Sequence, residues 1–325
     1  MSQRLKAAVV GASGIGKHHA KWYAVAADCD VTAIYGTTEA SAGAAAAALR
    51  DLFGFEGRAF HDWDAFVAEG DFELCSVCSP ATAHYANVVD LVAAGKHILC
   101  EKPLVWYWDR GPEPMRRESR DMVARADAAG VILAVNAQYP AGLPAFAALH
   151  RQVLGRAPDW STFVWEMESK GKPRHTPGPQ ESWVDLGPHA LTMLEAIHPA
   201  GAVDWDTLQH QDGPTETRVT FDWVGGDGQR TAATLDVRRI TEGDPKRRFG
   251  TRGLAVDYAG RNQDGEFVAV LSREGREEVL PDFMRTSVER FAAAVRAGDP
   301  SRVLVSGAAG LRQAEALVGV WARCW

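Results

Sequence analysis

A chain of 325 residues is long for one hydrophobic core and suits two domains. Its net charge of −7, with only short basic clusters at Arg116-Arg117 and Lys246-Arg247-Arg248, gives no electropositive footprint for nucleic acid. No apolar run nears the roughly 18 residues of a membrane span, and five scattered cysteines fit a reducing, cytoplasmic setting.

Ala7-Ala8-Val9-Val10 reads as a short buried strand. Arg4 and Lys6 before it superficially resemble a signal peptide, but the glycines and Lys17-His18-His19 that follow make a first strand the better reading. The strand runs into Gly11-Ala12-Ser13-Gly14-Ile15-Gly16 and a helix beginning near Lys17. Strand, glycine-rich turn and helix N-terminus together make a pyrophosphate cradle. Ser13 stands at the middle glycine position, where it adds a Cβ. The same turn half-matches short-chain dehydrogenases, which need a Tyr-x-x-x-Lys pair. None of Tyr23, Tyr35, Tyr85, Tyr107, Tyr139 or Tyr258 has lysine four residues on.

Strands at residues 31–35, 74–77, 97–100 and 131–135 alternate with helical stretches at 41–49, 84–94 and 115–129, the last two closed by Gly95 and Gly130. This alternation predicts a doubly wound parallel sheet over residues 1–136. Cys75 and Cys78 form a C-x-x-C within a strand. Positions i and i+3 of a strand face opposite ways, so neither redox nor metal chemistry is read there.

After Pro140 the pattern changes to β-rich runs at 160–168, 217–224, 230–239, 254–258, 267–272 and 277–280, separated by Gly/Asp turns. These predict an open, largely antiparallel sheet in an α+β domain over residues 137–325. Helical patterns lie at 188–197, 282–297 and from 307 to the end, the last placed to pack back on the N-terminal domain.

Two constellations carry chemistry. Glu101-Lys102-Pro103 lies at the C-terminal end of a strand, the edge where open α/β sheets bind ligands. Lysine there can polarise a substrate oxygen; the alternative is a surface ion pair. In Trp183-Val184-Asp185-Leu186-Gly187-Pro188-His189, the proline predicts a helix start with His189 in its first turn. A carboxylate orienting a histidine is the design of a general base; capping beside a buried histidine is the alternative. No second His or Cys cluster stands near, so no metal site is read.

Taken together, these segments resemble the glucose-fructose oxidoreductase / inositol dehydrogenase / MocA (Gfo/Idh/MocA) family. The glycine turn is followed by His19-Ala20, then Ser79-Pro80-Ala81-Thr82-Ala83-His84, then Gly95-Lys96-His97 through Glu101-Lys102-Pro103-Leu104, then Asp185-x-Gly187-x-His189, in the family's order and spacing. The resemblance implies a Rossmann domain plus an α/β domain whose outer sheet face forms a homodimer or homotetramer. It implies hydride transfer between NAD(H) or NADP(H) and a secondary alcohol of a sugar, cyclitol or related polyol. His189 would take the hydroxyl proton, Lys102 bond the reacting oxygen and Asp185 position the substrate or the histidine. Cofactor contacts would come from Gly11, Ser13, Gly14, Ile15, Gly16, Gly36, Thr37, Thr38, Cys78, Ser79, Pro80, His84, Glu101 and Lys102. Substrate contacts would come from Trp106, Trp108, Asn136, Gln138 and Tyr139.

Three departures stand out. Gly36-Thr37-Thr38 replaces the acid that binds the ribose 2′-hydroxyl in NAD enzymes, a lean toward NADP(H). Gln138-Tyr139 replaces an Arg-Phe pair. Residues 105–114 lengthen the segment after Lys102 and carry Trp106-Tyr107-Trp108, which either line the substrate site or pack at the domain junction. Two other functions fit the same residues: a glycosidase that oxidises its sugar transiently with bound NAD, and a nucleotide-binding regulator or scaffold without catalysis.

Overall fold

The apolar runs of the first 136 residues become parallel strands buried on both faces, which is why they read as continuous rather than alternating. In order they are β1 (Leu5–Val10), α1 (Gly16–Val25), β2 (Cys29–Tyr35), α2 (Glu39–Phe53), β3 (Arg58–Phe60), α3 (Trp63–Glu69), β4 (Leu74–Val77), α4 (His84–Ala93), β5 (His97–Glu101), α5 (Pro112–Ala129) and β6 (Leu133–Asn136). This is a computed structural model that describes residues 4–171 and 178–325.

The strand order is β3-β2-β1-β4-β5-β6, all parallel. The chain winds outward from β1 to β3, then returns to β4 on the other side, so the switch point lies between β1 and β4. That crevice is where doubly wound sheets bind ligands. The sequence gives little sign of β3 and α3. β3 has three residues, two of them exposed, and α3 is a seven-residue helix fixed by Asp62, which accepts the Ala65 N–H at 2.8 Å.

Two units divide the chain: residues 1–138 with 284–311, and residues 139–283 with 312–325. This differs from a simple break at 136/137. Helix α8 (Phe283–Ala297) belongs with the first unit, because Val288, Phe291 and Ala292 are fully buried in one core with Val9, Trp22, Tyr23 and Leu49. The final helix, α9 (Gly307–Cys324), contributes residues to both units.

The second unit holds α6 (Leu143–Leu154), β7 (Thr162–Lys170), α7 (Pro179–Ile197), β8 (Ala202–Asp212), β9 (Glu216–Val224), β10 (Arg230–Ile240), β11 (Arg247–Gly250), β12 (Ala255–Gln263), β13 (Glu266–Arg273) and β14 (Arg276–Pro281). Its eight strands run β14-β13-β12-β11-β7-β10-β9-β8, antiparallel except for the β7–β10 pair. β8 is an edge strand too polar to read as one. Arg247 and Arg248, from one of the short basic clusters, belong to β11: Phe249 is buried while Arg248 bonds Asp257 at 2.8 Å.

The helix expected to begin at Pro188 begins at Pro179 and carries Pro188 inside it. An internal proline costs about 3 kcal/mol. Trp183, Val184, Leu186 and Leu191 are buried in this helix, which packs on β7, β9 and β10, and that burial offsets the cost. Among the described residues no helix is long and apolar enough to cross a membrane.

Candidate active site

The glycine turn closes tightly on the loop after β4. Gly11 has φ +75°, and a Cβ there would lie 2.8 Å from the Cys78 carbonyl oxygen; a Cβ on Gly16 would run into the Gly11 carbonyl. The crest of the turn, Ser13-Gly14-Ile15, is exposed. α1 has neither a capping side chain nor an acid in its first turn; the Gly16 and His18 N–H groups bond the Ser13 and Ile15 carbonyls, and the positive dipole end of the helix faces the exposed turn, where it favours an anion. The cradle therefore fits a dinucleotide's pyrophosphate.

His84 ties the neighbouring loops together. Its Nε2 lies 2.8 Å from the Ser79 carbonyl and its Nδ1 3.0 Å from that of Pro103, after a cis Lys102-Pro103 bond. Burial lowers its pKa against the pull of those carbonyls. Ser79 donates to Asn87 at 2.8 Å. Burial pushes the Cys75 and Cys78 thiols up, which opposes thiolate chemistry.

Beneath Lys102 lies a buried polar chain. The Tyr23 hydroxyl meets Ser76 Oγ at 2.8 Å, Ser76 Oγ meets His19 Nδ1 at 2.9 Å, and His19 Nε2 meets Glu101 Oε1 at 3.0 Å. Asn136 Nδ2 donates to the same Oε1 at 2.7 Å, and the Lys102 N–H to Oε2 at 3.2 Å. Burial pushes the Glu101 carboxyl up, but the His19 ring, the Asn136 amide and the Lys102 charge outweigh it and hold the carboxyl at about 2. Asn136, expected at the substrate, is thus turned inward by its amide nitrogen. Its Oδ1 and Gln138 Oε1 are buried without a hydrogen-bond donor among the described residues. An added donor group there would remove a cost of about 1–3 kcal/mol each.

At the end of β2, a Cβ on Gly36 would sit 2.8 Å from the Ala42 amide nitrogen. Glycine is there for close approach, not merely for want of charge. Thr38 and Ser41 form a capping box on α2, with the Ser41 N–H bonded to Thr38 Oγ1 at 3.1 Å. The Thr38 hydroxyl is therefore engaged locally, while Thr37 is exposed.

In the aromatic insertion, Trp106 and Tyr107 are buried and Trp108 half-buried. Tyr107 donates to Glu118 on α5 at 2.6 Å, and burial with that bond pushes the phenol up to about 12. Trp106 meets Trp108 edge-on at 5.5 Å. Trp106 and Tyr107 are packing residues of the first unit; Trp108 keeps an accessible face.

The second unit presents Asp185 and His189 from α7. Of residues 181–190 they are the two half-buried positions; the rest are buried. A spacing of i, i+4 puts them on one helix face. The Tyr139 ring lies 4.9 Å from that of His189, among Trp165, Tyr258 and Phe283. Arg239 of β10 reaches Asp185 Oδ2 at 3.3 Å and the buried Glu181 Oε1 at 3.2 Å. Neither Arg239 nor Glu181 is visible as a site residue in the sequence. The signal, an acid one turn before Asp185, exists only once α7 is known to extend past Pro188. Lys102 belongs to the first unit, Asp185, His189 and Tyr139 to the second. Among the described residues no group of three or more His, Cys, Asp or Glu could hold a metal ion.

Comparison with known proteins adds to this geometry. Residues 5–137 match the model of a family described as an oxidoreductase family with an NAD-binding Rossmann fold. The chain is 29% identical over 134 residues to D-glucoside 3-dehydrogenase of Escherichia coli, covering 41% of this chain and 34% of that protein. It is 28% identical over 149 residues to an NADP(+)-using scyllo-inositol 2-dehydrogenase of Bacillus subtilis, covering 46% and 41%. The matched segments thus span well under half of these curated relatives. In overall fold it is similar to UDP-N-acetylglucosamine 3-dehydrogenase from Acidithiobacillus ferrooxidans (TM-score 0.70, 20% identity, 99% and 98% of the two chains). It is likewise similar to scyllo-inositol dehydrogenase from Lactobacillus casei, solved with NAD(H) and scyllo-inositol (TM-score 0.71, 13% identity, 98% and 96%).

Proposed function

Because the chain carries the NAD-binding Rossmann domain of the Gfo/Idh/MocA oxidoreductases over residues 5–137, we propose that it transfers a hydride between a nicotinamide cofactor and a secondary alcohol or ketone of a sugar, cyclitol or related polyol. The observation that carries the reading is α7, where Asp185 and His189 are the two half-buried residues on an otherwise buried stretch, one turn apart.

The nicotinamide, when bound, supplies the redox chemistry. The chain's residues supply binding and proton handling. The Gly11–Gly16 turn and the Cys78-Ser79-Pro80 loop hold the dinucleotide, with the pyrophosphate at the N-terminus of α1. Lys102 Nζ donates a hydrogen bond to the reacting oxygen. His189 accepts the hydroxyl proton at an imidazole nitrogen as the alcohol is oxidised and returns it in the reverse direction. Asp185, anchored by Arg239, orients the substrate or the imidazole. Gly36 places no carboxylate at the end of β2, which supports acceptance of NADP(H) as well as NAD(H). The proposed partners are a small polyol-like substrate and further copies of this chain. The contact between copies runs through the outer face of the second unit's sheet, where Val164, Glu166, Thr234 and Asp236 alternate with buried neighbours. The proposed setting is cytoplasmic.

A panel of sugars and cyclitols incubated with NAD+ and with NADP+, followed by the absorbance of reduced nicotinamide, tests the proposal. Reduction with at least one polyol is expected. No dinucleotide binding by calorimetry would remove the reading altogether. Glycoside cleavage without net reduction would replace it by transient oxidation.

A further inference from the structure

Glu101 is the buried charge that the proposed reaction leaves unused, and its surroundings are unusually complete. Its carboxylate accepts from His19, Asn136 and the Lys102 N–H. The direction of the chain behind it follows from counting protons. Glu101 accepts only, so His19 carries its proton on Nε2. His19 Nδ1 then accepts from the Ser76 hydroxyl, and Ser76 accepts from Tyr23. Burial pushes the nearby Tyr23, Cys78 and Cys100 up, and His84 down against the pull of its two carbonyl contacts. Glu101 thus sets a carboxylate, fixed by three donors, beside Lys102 at the C-terminal end of β5.

That place matters for a dinucleotide. The glycine turn anchors the pyrophosphate at β1, beside the switch point. The adenosine half then falls on the β2–β3 wing and the nicotinamide half on the β4–β5–β6 wing. The oxidised nicotinamide ring carries a positive charge; the reduced ring carries none. A fixed anion below that wing attracts only the oxidised form, and a cation there repels only the oxidised form.

We propose that Glu101, fixed by His19 and Asn136, sets the balance between oxidised and reduced nicotinamide on this protein by offsetting Lys102 and favouring the oxidised form. The proposal rests on the dinucleotide reading of the first unit and adds to it which redox state that unit holds more tightly, and through which residue. At an effective dielectric of about 20, one unit charge about 12 Å away is worth on the order of tenfold in affinity.

The test needs no substrate. Dissociation constants of the full chain are measured for NAD+ by calorimetry and NADH by fluorescence, or for the phosphorylated pair if that binds more tightly. Glu101→Gln, nearly isosteric, should weaken the oxidised form relative to the reduced form by on the order of tenfold. Lys102→Met, at a half-buried position, should move the same ratio the opposite way. Opposite shifts are the signature of charge, which a merely structural disturbance would not produce. A folded Glu101→Gln protein with an unmoved ratio overturns the proposal while leaving the dinucleotide reading intact. So do shifts in the same direction for both variants. If Glu101→Gln does not fold, Glu101→Met and Glu101→Ala take its place: a relative weakening of the oxidised form in either supports the proposal and an unmoved ratio overturns it. A wild-type chain that binds neither redox form overturns both.

Discussion

Single side chains carry three expectations. Lys102→Met, His189→Ala and Asp185→Asn should each lower turnover by about 10²–10⁴-fold, the range of general acid–base catalysis, with a smaller effect on dinucleotide affinity. Turnover near wild type in His189→Ala would transfer the proton-accepting role elsewhere. Glu101 makes stability depend on acid. Its folded carboxyl sits at about 2, below its ordinary 4.5. The stabilisation is therefore fully present above the ordinary value and is lost as pH falls through the folded one. Melting temperature followed from neutral pH down should fall more steeply below about pH 4.5 in wild type than in Glu101→Gln; parallel curves would contradict the assignment. Arg239→Met removes the cation that bonds both Glu181 and Asp185, so a lower midpoint in chemical denaturation is expected, with reduced turnover because that hold on Asp185 is lost. Lys102, Asp185 and His189 can be proposed from the sequence because each sits in a short motif of fixed spacing. Arg239 cannot, since 54 residues separate it from Asp185 and only the packing of α7 on β10 joins them. The inward hydrogen bond of Asn136 was hidden for the same kind of reason: its acceptor, Glu101, is 35 residues away.

Among elements, the strand–turn–helix at the start of the chain was readable because β1, the glycines and α1 are contiguous. Its details were not. Replacing Gly36 with Asp would be the obvious way to recruit NAD(H), yet the Cβ would press on the Ala42 amide. Gly36→Asp should therefore weaken both cofactors and lower the melting temperature rather than switch preference; a clean switch to NAD(H) with unchanged melting would show that the β2–α2 turn yields easily. Trp106→Ala should destabilise by about 3–5 kcal/mol, the usual cost of truncating a buried Trp, whereas Trp108→Ala, at a half-buried position, is the variant expected to alter KM. α7 shows why element boundaries failed. Pro188 is a strong helix-start signal, and only the burial of residues on both sides of it reveals nineteen helical residues. β8 failed for the opposite reason, since Asp204, Asp206, Gln209 and Gln211 give an edge strand the composition of a loop.

For the whole molecule, fold class was legible from the order of patterns: alternating strands and helices, then β-rich runs. The return of α8 to the first unit was not, because nothing local in residues 284–297 distinguishes a helix covering one core from a helix covering another. The two units contribute different parts of the proposed chemistry: the first holds the dinucleotide cradle and Lys102, the second Asp185 and His189. Direct hydride transfer is the central claim, and isotopic labelling reads it most directly. A polyol found active in the panel, deuterated at the carbinol carbon that is oxidised, is turned over with NAD+ or NADP+ and the reduced cofactor is recovered. One deuterium on nicotinamide C4 per oxidised alcohol is expected; reduced cofactor carrying only solvent hydrogen would contradict direct transfer.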